Sequence, residues 1–169
     1  MVEYRPGDTL NTTEMTTQAE ELRAGRTILI NTVGTSMQPL LYENDTQVVV
    51  VPLQRPLKKG DMVLYESSRG YPIIHRVTAV TEHSLTLRGD HVLYFETIPY
   101  EQAAGLVTEV FRHGRHYLTD GWQMRLYAKF VAGVFPLKKG YRALRHKLAE
   151  TLPRPLVRAI RALIRKPKQ

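Results

Sequence analysis

The chain has no cysteine. Disulfide frameworks, thiol nucleophiles and cysteine-ligated zinc or iron–sulfur centres are therefore excluded from the start. Any chemistry must come from hydroxyl, imidazole, amine or carboxylate groups. Long apolar runs are missing as well: the longest nearly apolar stretch, Phe130 to Leu137, is interrupted by Gly133 and Pro136, far short of the roughly 20 residues a membrane-spanning helix needs. The opening MVEYRPGDTLNTTEMTTQAEELRAG is polar and carries several acids, unlike a secretory signal or a transit peptide. Acids are scarce only towards the end. Residues 137–169 hold eleven basic side chains against Glu150 alone, whereas residues 1–136 hold thirteen basic and fifteen acidic ones. The 169 residues, 43% of them hydrophobic, suffice for one core plus an appendage. The charge pattern describes a near-neutral body with a basic tail able to meet phosphate.

Between these limits the texture changes twice. Thr12 to Ala24 are good helix formers with Leu22 and Met15 as the large apolar side chains, and Gly25 stands where a helix stop is expected. From Thr27 onward the runs ILINTV, TQVVVVPL, DMVLYES, YPIIHRVTAV, SLTLRGD and LVTEVF are rich in Val, Ile, Thr and Tyr and are punctuated by turn-forming residues. Short strands without intervening helical periods predict a mainly β body over residues 27–118, a compact β-sandwich or partly open β-barrel, preceded by an N-terminal helical segment (residues 1–26). After Asp120-Gly121 the pattern turns helical. Trp122, Leu126, Phe130 and Val134 recur with a period near four, and Pro136 is expected to close that helix. Tyr141–Leu152 and Pro155–Ile164 follow as two short helices. Residues 119–169 thus read as a basic helical extension, with Leu156, Ile160 and Leu163 on one face and Arg158, Arg161 and Arg165 around it.

The segment Val33-Gly34-Thr35-Ser36-Met37-Gln38-Pro39-Leu40 carries the most chemical information. A glycine precedes a hydroxyl, and Pro39 stops the chain from continuing as a regular strand. Ser36 therefore sits in a sharp turn between strands, where backbone N–H groups near the hydroxyl remain unpaired, as an oxyanion hole requires. Two other polar groups follow in order: His75 inside the apolar run Ile73-Ile74-His75-Arg76-Val77, and Asp90 in the turn Arg88-Gly89-Asp90. Gly60-Asp61 supplies a competing acid in a turn that feeds the strand Met62-Val63-Leu64-Tyr65.

Together these pieces, the G-x-S-M-x-P box, a Gly-Asp-apolar-Val turn and His-Arg-Val, resemble the signal peptidase I family and the wider serine peptidase superfamily that includes self-cleaving repressors. The resemblance covers about residues 30–110. It implies that Ser36 is the nucleophile and that His75 takes the place held by a general-base lysine in bacterial signal peptidases, as in the archaeal and endoplasmic-reticulum forms. It also implies that Asp90 is the acid and that Asp61 is structural. A serine hydroxyl needs a base within hydrogen-bond reach, and imidazole can accept its proton at neutral pH; an acid then fixes the tautomer and stabilises the imidazolium. Gly34, Thr35 and Met37 flank the nucleophile as oxyanion or substrate-contacting positions. Gly34 replaces a serine common in signal peptidases, which leaves the oxyanion to the Ser36 N–H with Thr35 beside it.

The reading that follows is a serine endopeptidase without cofactor or metal, cutting an extended leader, signal or precursor peptide after small residues. It is expected in the cytoplasm, at the inner face of a membrane, with the basic tail in peripheral contact with anionic lipid. His83 and His91 belong to turns. His113 and His116 flank a hairpin turn with no third metal ligand near. A self-cleaving regulatory domain is the first alternative, but the 26 residues before the β body fit no helix-turn-helix. The second is a catalytically silent basic module; aromatics interleaved with the basic residues of the tail are limited to Tyr141, which disfavours nucleic acid.

Overall fold

A computed structural model describes residues 12–67 and 70–151. In chain order the elements are α1 (Thr12–Arg23), β1 (Ile28–Asn31), β2 (Thr46–Val51), β3 (Met62–Glu66), β4 (Pro72–Val80), β5 (Ser84–Arg88), β6 (Glu96–Pro99), β7 (Ala103–Arg112), β8 (Arg115–Leu118) and α2 (Trp122–Thr151). The chain divides between Val131 and Ala132 into two compact units.

In the first unit all eight strands form one antiparallel sheet in the order β1-β2-β7-β3-β4-β5-β6, with β8 paired to β7. The body is mainly β, as the alternating β-branched runs predict. Among the described residues there is a single sheet, and its end strands β1 and β6 do not pair with each other, so it is not closed into a barrel. Long β7 organises it: its first half pairs with β3 and its second half with β8, while β2 lines the opposite edge.

Both faces of the sheet carry apolar side chains. Val48, Val50, Met62, Leu64, Val107 and Val110 form one cluster, onto which α1 brings Ala19 and Leu22, the β1–β2 loop brings Met37 and Leu41, and α2 brings Met124. Val63 and Tyr65 of β3, Val77 of β4, Leu85 and Leu87 of β5 and Ile98 of β6 form a second cluster, with Val63 and Tyr65 alternating along β3 with Met62 and Leu64 of the first. Each fully buried Val or Leu contributes about 1.5–3 kcal/mol, and strand β3, buried on both faces from Met62 to Tyr65, gains from both clusters.

The expected break in the helical region is absent, and Trp122–Thr151 form one helix. Pro136 lies inside α2 instead of ending it. A proline there removes one hydrogen bond to the carbonyl four residues earlier, and that residue, Ala132, is exposed, so water can satisfy the carbonyl. The apolar line Trp122–Leu126–Phe130 is solvent-exposed, while Met124 and Val131 on the opposite side are buried. The start of the expected C-terminal extension thus packs with the β unit. The face expected at Leu156, Ile160 and Leu163, and the helix Pro155–Ile164 that carries it, lie outside the described residues. No helix among the described residues is long and apolar enough to cross a membrane.

Candidate functional site

The β1–β2 loop that carries Ser36 is held from several sides. Met37 and Leu41 are buried in the core, and the Thr32 hydroxyl donates to the carbonyls of Tyr42 (2.8 Å) and Thr46 (3.0 Å), closing the loop at its base. From β7, Arg112 donates to the Pro39 carbonyl (2.9 Å) and to Asp45 (3.0 Å), with its guanidinium 4.0 Å from the centre of the Tyr42 ring. Within the turn, Gln38 N–H donates to Thr35, and Leu40 and Leu41 N–H both donate to Met37. Among the described residues the N–H groups of Ser36 and Met37 take no part in these bonds. Gly34 (φ 82°) enters the turn through the left-handed region that glycine reaches without strain. Gly34 and Thr35 are exposed and Ser36 is half-buried, whereas the Met37 side chain is committed to the core.

His75, only 2% exposed, is set by sheet register. It pairs with Val63 on β3, and Tyr65, two residues further along β3, lies on the same face. Across β5, Leu87 pairs with Glu96 of β6 and Arg88 pairs with Arg76. The alternation of side chains across a strand therefore turns His75, Leu87 and Glu96 to one face and Arg76 and Arg88 to the other. Nδ1 of His75 lies 2.9 Å from Oε2 of Glu96 and 3.1 Å from the Tyr65 hydroxyl, which itself donates to Glu96 Oε2. An ionised carboxylate can only accept, so Nδ1 carries the proton and Nε2 keeps its lone pair.

Nε2 faces Gly89. A Cβ placed on Gly89 would lie 3.1 Å from His75 Nε2 and 2.5 Å from the Ser36 carbonyl oxygen, so imidazole and serine turn converge on a space that only glycine leaves open. The turn is fixed there by His91 N–H, which donates to the Ser36 carbonyl at 2.8 Å. Burial lowers the pKa of His75 below that of free imidazole, against the opposing pull of the Glu96 charge, its hydrogen bond and the more distant Asp90 charge. Burial thus favours the neutral ring. Burial and Glu96 push the Tyr65 phenol far above its ordinary range, so it stays a donor.

Asp90 has a different principal partner from the one expected. It is 3% exposed, and its two oxygens receive the Arg76 guanidinium fork, Nε to Oδ1 and Nη2 to Oδ2, both at 2.8 Å. Arg76 also donates to the Gly60 carbonyl (2.9 Å) and lies 5.5 Å from the centre of the Tyr127 ring of α2. Asp90 lies in the bend just past the end of β5, where its carboxylate turns to Arg76, while Gly89 stands against His75 Nε2. Asp61 accepts from Arg55 (2.8 and 2.9 Å) and from the Lys58 N–H (2.9 Å), tying its own turn together.

No family model and no curated protein matches the chain. The geometry therefore stands on its own.

Glu96, Tyr65 and Gly89 were not singled out in the sequence. Glu96 precedes the buried Ile98 by two residues and so shares its inward face; an acid in phase with an aliphatic residue was the available signal, but ETIP is too short to read as a strand. The remaining histidines lie elsewhere: His113 contacts Asp45 (2.8 Å), His116 contacts Glu109 (2.7 Å) and stacks on Phe111, and His83 is exposed. Beside the serine loop a groove of about 1020 Å³ runs past Pro39, Leu40, Arg112, His116, Gln123 and Tyr127; neither Ser36 nor His75 lines it.

Proposed function

We propose that the chain is a serine endopeptidase of signal-peptidase type, with Ser36 as nucleophile, His75 as general base and Glu96, seconded by Tyr65, as the group that orients the base. The observation that carries this reading is the setting of His75: a buried imidazole whose Nδ1 is met by a carboxylate and whose Nε2 stands against Gly89, the residue that also abuts the Ser36 carbonyl.

In the reaction the Ser36 hydroxyl attacks the scissile carbonyl carbon while its proton passes to Nε2. Glu96 stabilises the resulting imidazolium. Collapse of the tetrahedral intermediate expels the amine, which takes the proton back from Nε2, and water then hydrolyses the acyl-enzyme through the same base. The Ser36 and Met37 N–H groups, which make no backbone hydrogen bond among the described residues, bind the oxyanion. Asp90 acts through structure, neutralising Arg76 beneath the site. An open antiparallel sheet, compatible with the partly open barrel read from the sequence, has exposed edges onto which an extended peptide can add by main-chain hydrogen bonds. The groove beside Pro39 gives such a peptide room. Leader or precursor peptides with small residues before the cut, met at the inner face of a membrane, are the proposed substrates.

A fluorophosphonate probe tests this without a known substrate. Incubated with the full chain, it should form a covalent adduct that mass spectrometry places on Ser36 and that Ser36→Ala abolishes while leaving the unfolding midpoint in place. Absence of any adduct in the folded parent protein would make the chain a binding module.

A further inference from the structure

Two stretches of α2 expose large apolar side chains. In the first unit, Trp122 (72% exposed), Leu126 and Phe130 (64%) form a line on the side opposite the buried Met124 and Val131, with exposed Arg125 and Lys129 next to it. In the second unit, Leu137 (72%), Tyr141 and Leu144 are spaced four and three residues apart, so they fall on one face at 100° per residue. Lys138, Lys139, Arg142, Arg145 and Lys147 lie around them, all exposed. Large exposed apolar side chains aligned on a helix mark an interaction surface. A helical stretch exposed on every side gains little from propensity alone, and its stability in proteins comes mainly from packing an amphipathic face.

We infer that each of these two stretches of α2 docks on an anionic lipid bilayer, with its own apolar side chains inserted among the acyl chains. Charge decides between occupants. Along Trp122–Thr151 there are seven Lys and Arg residues and a single acid, Glu150. A second copy of the helix would set like charges against each other. An anionic headgroup layer meets every cation, and apolar residues on one side with basic residues around them are what interfacial helices use. Single-stranded nucleic acid would satisfy the cations but leave Leu126, Leu137 and Leu144 in water. The surface is independent of the serine chemistry, because none of its residues belongs to the site around His75.

Trp122 is the only tryptophan in the chain and reports directly. Full-length protein is titrated with vesicles of phosphatidylcholine containing phosphatidylglycerol, and with pure phosphatidylcholine, at low salt. Expected are a blue shift of Trp122 emission and co-flotation with the anionic vesicles. Leu126→Glu/Phe130→Glu and, separately, Leu137→Glu/Tyr141→Glu should each lower the partition coefficient about tenfold or more without moving the unfolding midpoint or the rate of fluorophosphonate labelling at Ser36. An emission unmoved by anionic vesicles overturns the inference. So does equal partition onto pure phosphatidylcholine, a blue shift that grows with protein concentration without lipid, or a shift elicited by a single-stranded oligonucleotide and not by vesicles.

Discussion

Replacing Glu96 by Gln is the most discriminating perturbation of the site. In the parent, one carboxylate oxygen takes the Nδ1 proton of His75 at 2.9 Å and also accepts from the Tyr65 hydroxyl. Glutamine keeps the shape but loses the charge, and its amide nitrogen can offer a proton to Nδ1. That inverts the tautomer and moves the imidazole proton to Nε2, where the lone pair is needed. Loss of a charge-assisted hydrogen bond costs about 1.5–3 kcal/mol, or about one to two orders of magnitude in rate; tautomer inversion in serine proteases has reached about 10⁴. Labelling of Ser36 by fluorophosphonate should therefore slow by about 10² to 10⁴.

The pH profile supplies a second, independent readout. The Glu96 charge raises the pKa of His75 against the larger effect of burial, so its removal lowers that pKa further and moves the acid limb of the labelling rate to lower pH. Rates measured from about pH 5 to about pH 9 cover the ordinary titration of imidazole. Asp90→Asn is the control. It leaves Arg76 charged and buried without its carboxylate, a change that costs about 3–5 kcal/mol and should show as a lower denaturant midpoint, with the labelling rate of the folded fraction reduced far less than in Glu96→Gln. If Asp90→Asn at unchanged stability abolishes labelling while Glu96→Gln labels normally with an unmoved acid limb, the assignment of the orienting acid is refuted.

Two further outcomes follow from the same geometry. Gly89→Ala places a methyl carbon 2.5 Å from the Ser36 carbonyl and 3.1 Å from Nε2 of His75, so the serine turn must shift; overpacking of this kind costs about 1–3 kcal/mol, and the variant should show both a lower unfolding midpoint and slower labelling of Ser36. Because the folded pKa of His75 is lowered, the unfolded chain binds the proton first. The contribution of the neutral ring is present above the unfolded pKa of about 6.5 and is lost as pH falls towards the folded value. Urea midpoints should accordingly drop below about pH 6.5, and His75→Gln should flatten that dependence; a parent midpoint constant across that range would contradict the buried neutral imidazole.

Much of this molecule is decided locally. The β-branched runs fix β2, β3, β4 and β7, the Gly34–Pro39 box forces a turn at Ser36, and His113-Gly114 makes the β7–β8 hairpin, because each rests on backbone preferences within a few residues. The placement of Ser36 in a sharp turn and of His75 inside an apolar strand is also legible, since Gly34, Pro39 and the flanking aliphatic residues mark both locally. Other features belong to the assembled sheet. Which acid meets His75 depends on the register of β4 on β5 and of β5 on β6, pairings that put Glu96 on the imidazole face, while the bend after β5 turns Asp90 to Arg76. A sequence fixes the alternation within each strand but not which residue of one strand stands opposite which residue of the next. Likewise the period of four in Trp122, Leu126 and Phe130 marks an apolar face without saying what covers it; packing chose Met124 and Val131 for the core, and the more apolar line was left outside.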